Sequence, residues 1–325
     1  MPTHGYAASV EVGYAFSSEE HTPAELVANA RAAEDAGFTF GLISDHYHPW
    51  IDEQGHSAFV WSVVGAIAQA TERFRLGTGV TCPLIRIHPA IVAQAAATCA
   101  CLMPGRFFLG VGTGENLNEH VLGDRWPAPD ERLEMLEEAI QVLRLLWQGG
   151  YQTHRGKHYT VDHARVFDLP DDAVEIAIAA AQPNAAEKAA ELGDALVVAS
   201  GDEDVISNFN DAGGKGKPVY GQLHGCWASS RDGALKTVLA EWPNAGIQGA
   251  ASQELPLPEH FSQLAQNVRP DDLGEMPLGP DADPWLEQVK QYEDAGVTHV
   301  YLHQIGSDQR SFLEFALREL LPKLR

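Results

Sequence analysis

The sequence predicts an α/β fold, one (β/α)8 barrel spanning residues 1–325, on three observations. Apolar β-rich runs alternate with amphipathic helical runs from end to end, the pattern of a parallel sheet with crossover helices. The pairs number about eight, which closes a barrel, and barrels of this length routinely form one domain. Glycines at Ala36-Gly37, Leu192-Gly193 and Ala295-Gly296 recur where a left-handed cap would end a helix just before a strand.

Strands are expected at Val10–Phe16, Phe40–Ser44, Phe74–Val80, Phe107–Gly112, Glu175–Ala180, Ala195–Ala199, Val219–Trp227 and His299–Gln304. In the helix expected over Asp130–Trp147, Leu133, Leu136, Ile140, Leu143 and Trp147 recur at helical spacing and form the face that packs on the barrel. Two insertions break the rhythm. Residues 149–170 place Tyr151-Gln152-Thr153 and His158-Tyr159-Thr160 around Arg155-Gly156, which reads as a β-hairpin. Residues 243–284 are rich in Pro, Gln, Asp and Gly without periodicity. They read either as a lid with short helices over the carboxyl-terminal face or as peripheral decoration.

Composition narrows the partners. No stretch approaches the roughly 18 apolar residues of a membrane span, and Met1–Ser9 lacks the basic-then-apolar order of a signal peptide, so no membrane association is expected. Cys82, Cys99, Cys101 and Cys226 show no CxxC pairing; neither a metal site nor a disulfide framework is expected, and a reducing cytoplasm fits. A formal charge of −23 would repel phosphates, which argues against nucleic acid and leaves a small-molecule substrate.

In a (β/α)8 barrel the chemistry sits just beyond the carboxyl ends of the strands. There the sequence places Ser17-Ser18-Glu19 after the first strand, Ser44 to Trp50 after the second, and Gly112 to Asn118 after the fourth. One rim thus gathers an imidazole, His46, and two carboxylates, Glu19 and Glu115. Such groups exchange protons near neutral pH, as an alcohol/ketone or imine/amine redox step requires. Singly, Asp45 reads more readily as a helix cap, His46 as a satisfied loop histidine and Glu115 as a companion of an N-cap; together they favour a site. Gly110-Val111-Gly112-Thr113-Gly114 does not meet the GxGxxG spacing, and its glycines instead let a flat ring approach the backbone. The run Gly77 to Pro83, which includes Cys82, has the same character, although tight turning alone would also explain it.

With Ser44-Asp45-His46 followed by Pro49-Trp50, and with Gly112-Thr113-Gly114-Glu115-Asn116-Leu117-Asn118-Glu119, the chain resembles the F420-dependent glucose-6-phosphate dehydrogenases, a branch of the luciferase-like flavin and deazaflavin oxidoreductases. The likeness is dense from Val12 to Gly201 and returns at Asp308–Glu314. It implies a luciferase-like barrel and coenzyme F420. His46 and Glu19 become candidates for the base that takes a substrate hydroxyl proton, Glu115 for the acid at the ring nitrogen, and Trp50 for the neighbour of the reacting centre. Asp45, Gly79, Val80, Cys82 and Asn118 would touch the cofactor ring or its ribityl chain, with a cis peptide at Gly79-Val80.

The cofactor phosphate would lie on Ala180, Ala181, Gln182, Ser200 and Gly201, although Ala179-Ala180-Ala181-Gln182-Pro183 stands where the family has a glycine pair before proline. Where the family grips the sugar phosphate with cations, this chain has Asp202 after Ser200-Gly201 and only Arg269 among the acids of 243–284. The reading is therefore hydride transfer between F420 and a small alcohol or ketone, with glucose 6-phosphate not expected. An FMN-dependent luciferase-like monooxygenase is the alternative, and a non-catalytic cofactor-binding protein a second. The resemblance also implies a homodimer through helices near the second and third units, where Phe59, Val60, Trp61 and Val64 look over-apolar for a solvent face; ordinary packing on the barrel would explain them equally.

Overall fold

The computed structural model describes residues 10–247 and 249–324; Met1–Ser9, read above for a signal peptide, lie outside them. Ten strands occur among these residues: β1 (Glu11–Phe16), β2 (Phe40–Ile43), β3 (Arg75–Thr78), β4 (Phe107–Val111), β5 (Gln152–Arg155), β6 (Thr160–Ala164), β7 (Glu175–Ala179), β8 (Ala195–Val198), β9 (Val219–Gly225) and β10 (His299–Gln304). Eight of them close a parallel barrel in the order β1-β10-β9-β8-β7-β4-β3-β2, while β5 and β6 pair separately as an antiparallel hairpin. Each barrel strand lies within two residues of its expected limits, and most stop a residue or two early at the carboxyl end. Of the residues left beyond those ends, Ser44, Gly79, Val80, Gly112, Ala180 and Ala199 line a cavity there.

Strand alternation sends every second side chain into the barrel. Phe40, Leu42, Phe108, Ala177, Ala195, Val197, Tyr220 and Tyr301 thereby fill its interior. Below them Arg75 meets Glu175 at 3.1 Å and lies 5.2 Å from the Phe108 ring centroid, closing the amino-terminal mouth. The outer face carries the larger core, shared with the helices. Helix Pro23–Ala36 begins where it does because Thr22 and Glu25 form a reciprocal capping box and proline occupies the first turn. Helix Pro129–Leu146 buries Leu136, Ala139, Ile140, Leu143 and Leu146, each leucine or isoleucine contributing about 2 kcal/mol; Leu133 and Trp147 are only half-buried, so the face is rotated from the expected one.

One expectation needs correction, and one choice left open is decided. Gly37 (φ 100°) and Gly296 (φ 99°) are left-handed as predicted, but Gly193 is extended at φ −99°, ψ 164°. A Cβ there would lie 2.9 Å from the Ala189 carbonyl and 3.0 Å from Ile178, so this glycine serves close approach, not handedness. In the apolar set near the second and third units, Val60 and Val64 are fully buried and Trp61 is 9% exposed, its ring 6.3 Å from Phe107; Phe59 alone is open, at 58%. Three of the four therefore pack within this chain.

Gly110 is the tightest point of the barrel wall. A Cβ on it would overlap the Thr78 carbonyl oxygen and press on Val80. Gly110→Ala should therefore destabilise the fold by about 1–3 kcal/mol through forced backbone movement, measurable as a lower denaturant midpoint.

Both insertions carry secondary structure among the described residues. The hairpin sits on Glu138, whose carboxylate accepts from the N–H groups of Lys157, His158 and Tyr159 and from His154 Nε2. Burial would raise the Glu138 carboxyl, but these donors outweigh it and hold it below the usual range. The second insertion forms short helices at Pro243–Gly246, Ala251–Glu254, Pro258–Ala265 and Pro270–Leu273. Arg132 fixes part of it, reaching Gln253 at 3.2 Å and Glu254 at 3.3 Å.

Candidate active site

A cavity of about 440 Å³ opens at the carboxyl ends of the strands, walled by the barrel and roofed by Trp242, Asn244, Ala245, Ser252, Gln253 and Phe261. The insertion over 243–284 thus covers the cavity, deciding between the two readings of it.

From the end of β1, Glu19 is almost fully buried, and its Oε2 accepts from Ser17 Oγ (2.9 Å) and Ser44 Oγ (2.7 Å). Its Oε1 lies 3.0 Å from His46 Nδ1, close in distance but off the line of an N–H bond. With Nδ1 toward Glu19, the His46 ring lines the cavity. The loop carrying His46 is pinned by Ser57 Oγ, which donates to the His46 carbonyl at 2.8 Å. Trp50 stands edge-on to His46 at 5.1 Å and to Phe261 at 5.3 Å, and its backbone N–H donates to Gln54 Oε1. From the end of β4, Glu115 lines the same cavity, 3.4 Å from Asn118 Nδ2. Three side chains from separate loops therefore meet in one cavity.

The floor is backbone and small side chains: Gly79, Val80, Gly112, Ala179, Ala180 and Ala181. The Gly79-Val80 peptide is cis. A Cβ on Gly112 would lie 2.8 Å from Val80 and 3.4 Å from Ala179, so glycine keeps this floor flat.

Other expected cofactor residues lie off the cavity wall. Asp45 is turned away: its carboxylate takes Arg86 Nη2 at 2.9 Å and Thr81 Oγ1 at 2.8 Å. Arg86 also holds Glu119, with its backbone N–H on Oε2 at 2.8 Å and its Nε 3.4 Å from Oε1. Burial keeps the Glu119 carboxyl above its ordinary range even with Arg86 pulling it down. Asn118 Oδ1 accepts from the backbone of Tyr47 and His48, shaping the loop. Cys82 packs behind Gly114, and burial pushes its thiol far up, which makes it an inert space-filler. Gln182, Ser200 and Gly201 stand at the open rim beside Ala181, outside the lining.

The structure adds a constellation not anticipated from the sequence. His224 and His303 are register partners on β9 and β10, both inward-facing, with their Nδ1 atoms 2.8 Å apart. His303 Nε2 lies 2.7 Å from Glu20 Oε2, and Glu20 Oε1 accepts the Gly306 N–H. Burial raises the Glu20 carboxyl, but His303, this amide and His21 overcome it and hold it low. Burial, then His303, pushes His224 down to about 3. Strand alternation was the available signal, since it turns Tyr220, Gln222 and His224, and Tyr301 and His303, to the same side.

Among the described residues, no lysine or arginine lines the cavity, whereas Glu19 and Glu115 do. Nor is any helix among them long and apolar enough to cross a membrane.

Against known proteins, the model for luciferase-like monooxygenases matches residues 3–299. An F420-dependent glucose-6-phosphate dehydrogenase from Mycobacterium avium is 34% identical over 98% of this chain and 99% of its own length. One from Nocardia farcinica is also 34% identical, over 97% and 98%. Among solved structures, an F420-dependent secondary alcohol dehydrogenase in complex with an F420-acetone adduct superposes with a TM-score of 0.91 at 28% identity, covering 98% of this chain and 99% of that one. The coenzyme F420-dependent tetrahydromethanopterin reductase of Methanopyrus kandleri, at 21% identity and a TM-score of 0.78 over 98% and 100%, shares the fold. The chain belongs to the luciferase-like monooxygenase family, alongside its F420-dependent dehydrogenases.

Proposed function

We propose that the protein is an F420-dependent oxidoreductase that moves a hydride between the deazaflavin and a small uncharged alcohol or ketone. The observation that carries this reading is a cavity holding His46, Glu19 and Glu115 and walled by no cation among the described residues. The floor fits a flat tricyclic ring, because Gly79, Gly112 and the alanines of 179–181 leave it without projecting side chains. The exposed rim at Ala181, Gln182 and Ser200 fits a phosphate-bearing tail leaving toward solvent, held by backbone N–H groups where helix Pro183–Leu192 begins. When bound, the deazaflavin supplies the hydride acceptor or donor.

The residues divide the proton work. His46 Nε2 takes the hydroxyl proton of an alcohol, or returns it to a ketone oxygen. Glu19, tied to two serine hydroxyls, orients the imidazole and balances its charge once protonated. Trp50 closes the side of the cavity beside His46 and excludes water. Glu115 provides the carboxyl at the ring side. A phosphate dianion would meet two carboxylates and no cation among the described lining residues, which favours a neutral substrate over glucose 6-phosphate. The resemblance also carries a homodimer and a cytoplasmic location, and the four free cysteines agree with a reducing compartment.

Absorbance titration of the purified protein with F420 and with FMN tests the cofactor, followed by a panel of neutral alcohols beside glucose 6-phosphate. F420 binding with turnover on a neutral alcohol is expected. FMN binding without F420 binding, or efficient oxidation of glucose 6-phosphate, overturns the assignment.

A further inference from the structure

We propose that Asn244 and Gln253, on the roof of the cavity, recognise the substrate by offering amide N–H groups to an uncharged oxygen, so that the substrate is a neutral alcohol or ketone carrying a second oxygen, an ether or a carbonyl, away from the reacting carbon. The substrate class rests on the oxidoreductase reading above; the orientation of the two amides rests on their partners alone.

The oxygen and nitrogen of a side-chain amide are told apart by what they meet. Gln54 Oε1 lies 2.9 Å from the backbone N–H of Trp50 and 3.4 Å from that of Ile51, groups that can only donate, so its other arm is the NH2. That nitrogen donates to the Glu241 carbonyl at 3.0 Å and to Asn244 at 3.3 Å, and the Asn244 atom it meets is therefore Oδ1. Asn244 is left with Nδ2. Gln253 is fixed independently: Arg132, a buried guanidinium with no acceptor of its own, donates Nη2 to it at 3.2 Å, so the engaged atom is Oε1 and the free one Nε2. Neither amide nitrogen has a protein partner among the described residues, and both side chains line the cavity.

The roof therefore presents donors, whereas Glu19 and Glu115 bring acceptors to the same cavity. Ser252, also on the roof, gives its own hydroxyl proton to the Gly249 carbonyl at 3.2 Å. Asn244 belongs to the side where the substrate hydroxyl is expected, because Gln54 ties it to the Trp50 backbone and Trp50 stands against His46. A hydrocarbon tail entering there displaces water and leaves the amide N–H groups unmet; an ether or carbonyl oxygen meets them. A carboxylate would supply acceptors too, but it would share the cavity with two other carboxylates.

The test uses isosteric pairs in which an ether oxygen replaces one methylene: 1-methoxy-2-propanol beside 2-pentanol, and 4-methoxy-2-butanol beside 2-hexanol. With F420 bound, the full-length protein should oxidise at least one ether with kcat/KM roughly tenfold above its hydrocarbon partner. Asn244→Asp and Gln253→Glu replace the free donor by an acceptor while keeping the oxygen that Gln54 or Arg132 holds. At about pH 8, where the new carboxyls are ionised, each should cut that ratio by about threefold or more, through KM and not kcat. The ratio compares two neutral substrates, so a general effect of added charge cancels, and a merely structural role would leave it unmoved. In the cofactor-free protein, the side-chain NH2 signals of Asn244 and Gln253, assigned by their loss in the same variants, should shift with the ether and not with the hydrocarbon. Equal kcat/KM within both pairs, or a ratio unchanged in both variants, overturns the proposal. If no alcohol is oxidised yet the amide signals answer to the ether alone, the redox reading falls and the roof assignment stands.

Discussion

If His46 is the proposed base, His46→Ala should lower kcat for alcohol oxidation by about 10²–10⁴-fold, the usual contribution of a positioned general base. The loss should fall on the chemical step, because the proposed role of the imidazole is to act on the O–H proton as the C–H bond breaks. Folding should survive, since Glu19 keeps the hydroxyls of Ser17 and Ser44 on Oε2 when the ring is gone. Steady-state rates with F420, together with a melting curve, check both statements. Wild-type kcat in this variant would remove His46 from the base role.

Arg86→Met should cost about 3–5 kcal/mol of stability, because it strands two buried carboxylates that share one cation. The guanidinium is 6% exposed, while Asp45 and Glu119 are fully shielded. The pH dependence has a definite sign. The Glu119 carboxyl is raised above its unfolded value, so it favours the folded state below the ordinary carboxylate range and loses that benefit as pH rises through the folded-state value. Without Arg86 the upward shift grows. The deficit of the variant should therefore be largest at neutral pH and shrink on acidification, as denaturant midpoints measured at a series of pH values would show. A deficit independent of pH would remove the charge argument.

The barrel was legible because its signals are local. Each strand is a short β-rich run bounded by turn residues, and alternation with helices leaves few other topologies. The loops after β1, β2 and β4 were legible for the same reason: polar residues crowd the ends of apolar strands. Distant pairing was not legible. His224 and His303 lie 79 residues apart and meet only through strand register. Asp45 stands next to His46, but a loop carries neighbouring side chains in different directions, and an arginine after β3 claims this one. Val60, Trp61 and Val64 show the converse failure, since apolar spacing tells that a face is covered and not by what. Gly193 was given the right importance and the wrong reason.

Gln54 joins two parts of the molecule that would otherwise move apart. Its carbonyl oxygen holds the amides of Trp50 and Ile51, while its amide nitrogen binds the Glu241 carbonyl at 3.0 Å and Asn244 Oδ1 at 3.3 Å. Phe261, also from the cover, leans on the Trp50 indole. Any outward swing of the roof at this edge must therefore loosen the tryptophan that borders His46. Admission of a guest and alignment of the reacting groups become a single mechanical event, and a molecule already seated is sealed in by the same amide that sets its neighbour in place.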